Sequence, residues 1–234
     1  FSFRGTTREV GDLRPIAIDC AATSDRCAML HRRGEVAEVV IGARDEALGS
    51  WRRVSVGSPG DEPLAVSTRG EATVVATRDA LRVRFWRVGD DGEPEPVVAL
   101  GATPALLAVH VPEPAVLTEP PYQLVGGCPS EGGAMVTTAH RKPVHLRAPQ
   151  PAVSGHVSRI ERGFLATWLA PARCRSRRRV LEAAVVDAEG QPVAPVTTVG
   201  HADAVHVATS GADVDLWLRD KAANTLTWVR ARCR

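Results

Sequence analysis

Apolar and polar residues alternate along this chain with a period of two. LRVRFWRV (81–88) and DVDLWLRD (213–220) show it most plainly. Side chains of an extended backbone point to opposite faces in turn, so this alternation predicts strands with one face on a core. ATVVATRD (72–79), FLATWLAP (164–171), VLEAAVVD (180–187) and TLTWVRAR (225–232) read the same way. Helical periodicity is nearly absent. The 20 Gly and 17 Pro fall between the runs as turn punctuation and gather into no linker. The pattern predicts an all-β protein forming one domain over residues 1–234.

The runs also recur in sets. First strands are expected near Ile16, Leu64, Leu106, Val157 and Ala204, 42 to 51 residues apart. That spacing matches one four-stranded blade of a β-propeller. The second set reads LAVSTRG, EATVVATRD, ALRVRFWRVGDDGE, PEPVVALG; the fourth reads HVSRIERG, FLATWLAP, RRVLEAAVVDAEGQ, PVAPVTTVG. In the third, VPEPAVLTEPPY (111–122) carries several prolines. Proline has no N–H for a ladder, so this segment is expected at an edge or in a loop. The fifth set ends after TLTWVRAR without a fourth strand, and FSFRGTTREVG (1–11) has the length to supply one. Closing a ring removes exposed sheet edges. The expectation is a β-propeller of five four-stranded blades, with the N-terminal strand completing the last. The alternative is a β-sandwich, built from similar strands.

Two stretches carry a family resemblance. GHADAVHVATSGADVDLWLRD (200–220) places Gly200-His201 ahead of a first strand and Trp217 near the end of a later one. ATRDALRVRFWRVGDDG (76–92) looks like the second half of such a unit, with Trp86 in the tryptophan position and Arg87 where an aspartate would stand. Both resemble WD-repeat blades, and the resemblance implies a propeller. The other tryptophans are Trp51, Trp168 and Trp228. Large aromatics dominate sheet cores, so packing between blades is expected of the set.

Composition narrows the classes. Apolar residues make up 44%, charged residues 24%, and the net charge is +2. This is an ordinary globular composition, and the charge does not by itself imply nucleic acid. No apolar run reaches the 18 residues of a membrane-spanning helix. Lys142 and Lys221 are the only lysines amid many arginines, a bias expected of a GC-rich bacterial genome. The chain opens at Phe1 without Met and reads as a mature or excised piece.

The cysteines are Cys20, Cys27, Cys128, Cys174 and Cys233. Cys20 and Cys27 flank AATSDR and would face each other across a hairpin over 16–30, which predicts a disulfide and an extracytoplasmic location. The pairing of the other three is open. No Cys/His spacing fits zinc, and no metal or cofactor is expected.

Three groups carry potential chemistry. RCRSRRR (173–179) holds Arg173, Arg175, Arg177, Arg178 and Arg179 between two strands of the fourth set. Guanidinium forks suit carboxylates and phosphates, so these five are the expected ligand contacts; a solvated loop is the plainer alternative. Aromatics do not interleave with them, which argues against a single-stranded nucleic acid. His201, Asp203 and His206 could bind a metal, but alternation turns His206 from the other two, and turn hydrogen bonds explain them more simply. Asp19 and Glu161, in the first and fourth first strands, are the acids a glycosidase would use. Nucleophile-elbow, zincin, phosphate-loop and dinucleotide motifs are absent.

The expected function is that of a noncatalytic binding or scaffolding module of an exported bacterial protein. It would present loops to a protein or an anionic cell-surface ligand. The alternative is a carbohydrate-active hydrolase using Asp19 and Glu161. Oligomeric state is left open.

Overall fold

A computed structural model describes residues 14–90, 92–101, 105–139 and 142–232. These residues form antiparallel sheets; the one helical element among them is a single 3-10 turn, Leu48–Ser50. No helix of the described residues is long and apolar enough to cross a membrane.

The first sheet runs in chain order: β1 (Pro15–Cys20), β2 (Arg26–Arg33), β3 (Val36–Ala43) and β4 (Arg52–Val56). The second does likewise with β5 (Glu62–Arg69), β6 (Ala72–Arg78), β7 (Arg82–Val88) and β8 (Glu95–Gly101). The third contains β9 (Leu106–His110), β10 (Ala115–Thr118), β13 (Gly132–Thr138) and β14 (Val144–Ala148). A small hairpin of β11 (Leu124–Val125) and β12 (Cys128–Pro129) is inserted between its second and third strands. The fourth sheet is β15 (Ser154–Ile160), β16 (Gly163–Pro171), β17 (Arg179–Asp187) and β18 (Thr197–His201). The fifth has three described strands, β19 (Ala204–Ser210), β20 (Asp213–Asp220) and β21 (Thr225–Arg232). Ile16, Leu64, Leu106, Val157 and Ala204 each lie in the first strand of their own sheet. The N-terminal strand expected at residues 1–11 lies outside the described residues.

The third sheet corrects one expectation. AVLT (115–118) is an interior strand, fully buried, paired with β9 on one side and β13 on the other. Pro112 and Pro114 precede it and Pro120 and Pro121 follow it, so no proline removes a ladder N–H from the strand itself.

The described residues divide into two compact units. One runs to Asp79 and includes Arg84–Val97; the other comprises Ala80–Val83 and Val98 onward. In the first unit, Leu30, Val39 and Val56 pack with Val66, Val75 and Val88 to form one core. The second unit has two cores. Leu117, Val136 and Leu146 meet Phe164, Trp168 and Val186 in one; Leu165, Leu169 and Leu181 meet Val214, Leu216 and Leu218 in the other. β16 therefore sends alternate side chains into two different cores, which explains why FLATWLAP is apolar at nearly every position. Eight of its nine residues are buried.

Candidate functional site

β16 and β17 pair along their whole length, from Gly163 opposite Asp187 to Pro171 opposite Arg179. The residues between them are displaced beyond the sheet as a loop. Ala172 N–H donates to the Arg178 carbonyl at 2.8 Å, and Ser176 N–H donates to the Arg173 carbonyl at 2.9 Å. All five arginines of RCRSRRR are exposed.

One side of this loop is tied down. Cys174 forms a disulfide with Cys128, their Cα atoms 5.7 Å apart, which settles a pairing that spacing left open. Beside it, Arg175 Nη2 donates to the Gly126 carbonyl at 3.0 Å. Gly127 has φ +78°, and a Cβ there would stand 2.6 Å from Arg175 Nη2. A side chain at 127 would therefore be strained and would crowd the guanidinium. The β11–β12 hairpin thus clasps the loop through Cys174 and Arg175.

The other side of the loop faces a cleft of about 170 Å³, lined by Arg177, Arg178, Arg179, His201, Asp203 and Asp220 together with Ala202 and Ala222. Val180 pairs with His201, so the end of β18 lies beside the loop. Both carboxylates serve the neighbouring turns. Asp203 Oδ2 accepts from Lys221 N–H at 2.7 Å; Asp220 Oδ1 accepts from Ala222 and Ala223 N–H at 2.9 and 3.1 Å. Asp220 Oδ2 lies 3.9 Å from Arg178 Nη2. Among the described residues neither Arg177 nor Arg179 has a side-chain ion pair. The result is a rim with three guanidinium groups whose two acids already accept backbone hydrogen bonds. Such a rim suits a carboxylate or phosphate held by parallel N–H bonds.

The arginine run therefore divides. Arg177, Arg178 and Arg179 line the cleft, Arg175 is used by the clasp, and Arg173 is exposed beyond it. His201 and Asp203 join the cleft, a juxtaposition their sequence positions did not suggest. His206 lies elsewhere, on β19 opposite Trp217, with ring centroids 5.4 Å apart. Among the described residues no three His, Cys, Asp or Glu side chains are placed to hold a metal ion.

Asp19 and Glu161 have separate settings. Asp19 is half-buried in the first unit, where its Oδ2 accepts from Thr68 N–H at 2.6 Å and its carbonyl accepts from Thr68 Oγ1 at 3.4 Å. It clamps β1 to β5. Glu161 is exposed at the β15–β16 turn of the second unit, with its own N–H donated to the Gly211 carbonyl. Cys20 and Cys27 are cross-strand partners at the end of β1 and the start of β2 and form a disulfide, their Cα atoms 4.0 Å apart.

Several charged or aromatic arrangements escaped sequence reasoning. His31 Nε2 meets Glu38 Oε1 at 2.9 Å in the buried part of the first sheet, where Arg33 and Arg53 also reach the carboxylate. Trp168 Nε1 donates to Glu182 Oε2 at 2.7 Å, and burial raises the Glu182 carboxyl above its ordinary range. His156 on β15 is pushed down, first by burial and then by the positive charge of His110 on β9 and His206 on β19. These three histidines sit on the first strands of successive sheets, 46 and 50 residues apart in sequence, a signal that was readable. Of the tryptophans, Trp168 is fully buried, Trp86 packs beside the first unit's core, and Trp228 is 55% exposed. Trp228 departs from the packing role expected of it.

No family model matches this chain, and no curated protein matches it. Solved structures offer distant likenesses. A hydrazine synthase chain of Kuenenia stuttgartiensis aligns at 13% identity and TM-score 0.48, over 93% of this chain and 59% of that one. This chain thus spans less than two thirds of that chain's length. A "putative 6-phosphogluconolactonase" from Bacteroides uniformis aligns at 11% identity and TM-score 0.41, over 93% of this chain and 85% of that one. A protein from Lactobacillus plantarum aligns at 10% identity and TM-score 0.35, covering 92% and 83%. Likenesses at this level transfer no activity.

Proposed function

We propose that this chain is a noncatalytic binding module of an exported bacterial protein, holding an anionic cell-surface ligand at the Arg177–Arg179 cleft. The observation that carries the reading is the division of roles in that cleft. Asp203 and Asp220 accept backbone hydrogen bonds, Asp220 also lies 3.9 Å from Arg178, and Arg177 and Arg179 line the open hollow without an ion pair among the described residues. The ligand class is a carboxylate- or phosphate-bearing surface polymer, since planar forks match those groups.

The fold reading behind it is a five-bladed propeller. Four sheets whose ladders follow chain order and a fifth with three described strands support it, as does the regular spacing of their first strands. Two disulfides favour an oxidising, extracytoplasmic compartment. The arginine-for-lysine bias favours a bacterial source.

Binding to an immobilised polyuronate tests the function. The wild-type chain should be retained, and R177A/R178A/R179A should lose at least about tenfold in affinity, since each charge-assisted contact contributes about 1.5–3 kcal/mol. Equal retention of the two proteins would refute the assignment.

A further inference from the structure

The β11–β12 hairpin carries its apolar residues outward. Its two strands pair with each other and join none of the larger sheets. Gly126 and Gly127, both at positive φ, close it as a tight two-residue turn, and Ser130 N–H donates to the Gln123 carbonyl at 2.7 Å. Residues 121–127 are all exposed. Leu124 and Val125 stand just before the turn at 66% and 67% exposure, with Tyr122 at 39% behind them. Neighbouring strand residues point to opposite faces, so at Leu124 and Val125 neither face of the hairpin packs on the body of the chain.

An isolated two-stranded hairpin is marginal in water. This one is ordered by ties other than burial of its apolar side chains. Cys128 is bonded to Cys174, Arg175 Nη2 donates to the Gly126 carbonyl at 3.0 Å, and Pro129 stands opposite Leu124. The same ties hold the arginine loop against the hairpin's tip. Among the described residues neither Arg173 nor Arg175 has an ion pair, and residues 172–178 include no acid. Arg175 gives one N–H to Gly126 and keeps the others for a further acceptor. The nearest acids in sequence, Glu119 and Glu131, flank the foot of the hairpin. Glu119 accepts from the Tyr122 hydroxyl, and Glu131 lies 3.8 Å from His145. Apolar side chains and uncompensated cations therefore share the tip.

Binding at a membrane surface grows with the apolar area buried and with the attraction of basic residues to anionic lipids. The tip offers both. It is also narrow and apolar on two faces. A flat protein surface covers one face of such a projection, whereas fluid lipid surrounds it. We propose that the β11–β12 tip docks on an anionic lipid bilayer. Leu124 and Val125 enter the headgroup layer, and Arg173 and Arg175 meet the lipid phosphates. Tyr122 lies at the level of the headgroups, where an apolar ring with a polar end is at home. The contact is on the clasped side of the loop and does not depend on the Arg177–Arg179 cleft.

Co-sedimentation of the intact, disulfide-bonded chain with lipid vesicles tests this. Vesicles of equimolar phosphatidylglycerol and phosphatidylcholine should carry the wild type down at low salt; phosphatidylcholine alone should carry little. L124S/V125S should weaken binding to the anionic vesicles at least about tenfold, because fully burying either side chain favours the bound state by more than one tenfold step. The same variant should be retained on polyuronate as the wild type is, which separates this contact from the cleft. If L124S/V125S does not fold, L124A/V125A decides in the same assay. Absence of wild-type binding to the anionic vesicles overturns the proposal and leaves a protein as the hairpin's partner. Equal vesicle binding by variant and wild type also overturns it, since attraction to headgroups then acts without insertion. So does a variant that loses polyuronate retention together with vesicle binding, because the hairpin then acts only by shaping the loop.

Discussion

Two groups of arginines are built into this chain in opposite ways. Arg177, Arg178 and Arg179 are contiguous, sit on a loop and are solvent-exposed; the Arg178 side chain keeps 59% of its surface accessible. Arg26 and Arg52 are far apart in sequence, open two strands of one sheet, and the Arg26 side chain keeps 14%. A contiguous exposed run sets up a local field that water and salt screen strongly. Strand-borne guanidiniums held by Thr73, Asp90 and backbone carbonyls are already engaged within their own sheet and its neighbours. The first arrangement leaves guanidiniums in solvent, where the proposed anionic ligand would meet them; the second ties its guanidiniums to the fold.

The strongest way to break this contrast is through the disulfides. Cys128–Cys174 closes a separation of 46 residues and anchors the arginine loop. Its removal by C128S/C174S is expected to cost about 4 kcal/mol on the chain-entropy model, and to weaken polyuronate binding as the loop loosens. Cys20–Cys27 closes a separation of only 7, and C20S/C27S should cost about 2.5 kcal/mol by the same model. Urea unfolding of both variants gives the order. Equal costs, or unchanged polyuronate binding in C128S/C174S, would remove the clasp from the account.

Next in size is the stability carried by the arginines themselves. Arg26→Met loses hydrogen bonds to Thr73 and Asp90, for an expected cost of about 1–3 kcal/mol. Arg177→Ala should stay within about 0.5 kcal/mol of wild type, as surface substitutions usually do. Thermal unfolding of the two single variants compares them. A large loss from Arg177→Ala would show that the loop arginines are structural.

A smaller effect separates the second unit by pH. In the fold His156 titrates below the ordinary imidazole value, because burial and the charges of His110 and His206 disfavour its cation. An unfolded histidine takes its proton near about pH 6.5. As pH falls below that value the unfolded state binds the proton first. Stability contributed by neutral His156 is therefore present above about pH 6.5 and declines as pH falls through the lowered folded value. Unfolding free energies measured between about pH 7.5 and 5 should fall less steeply in His156→Gln than in wild type. Parallel profiles would remove the histidine coupling.

Much of the fold could be read from the chain because it rests on period-two alternation. The five first strands and the Cys20–Cys27 hairpin follow from local pattern and spacing alone. The arginine run was equally visible, being contiguous. AVLT was misjudged because prolines beside a strand were weighed as if they lay within it. Arg26 and Arg52 were invisible for a different reason. They are joined by register across β2, β3 and β4, and a register is a long-range property. The Cys128–Cys174 bond and the meeting of His201 with Arg179 are non-local in the same way. Trp228 was expected to pack, but β21 is exposed at nearly every position among the described residues.

The most direct test of the central claim is the salt dependence of polyuronate binding, measured for the wild type and R177A/R178A/R179A from about 0.01 to about 1 M salt. Over that range the screening length falls from about 30 to about 3 Å. The account predicts wild-type affinity that drops steeply with salt, and a triple variant that is weak and nearly insensitive to it. Identical salt slopes for the two proteins would contradict it, whatever their absolute affinities.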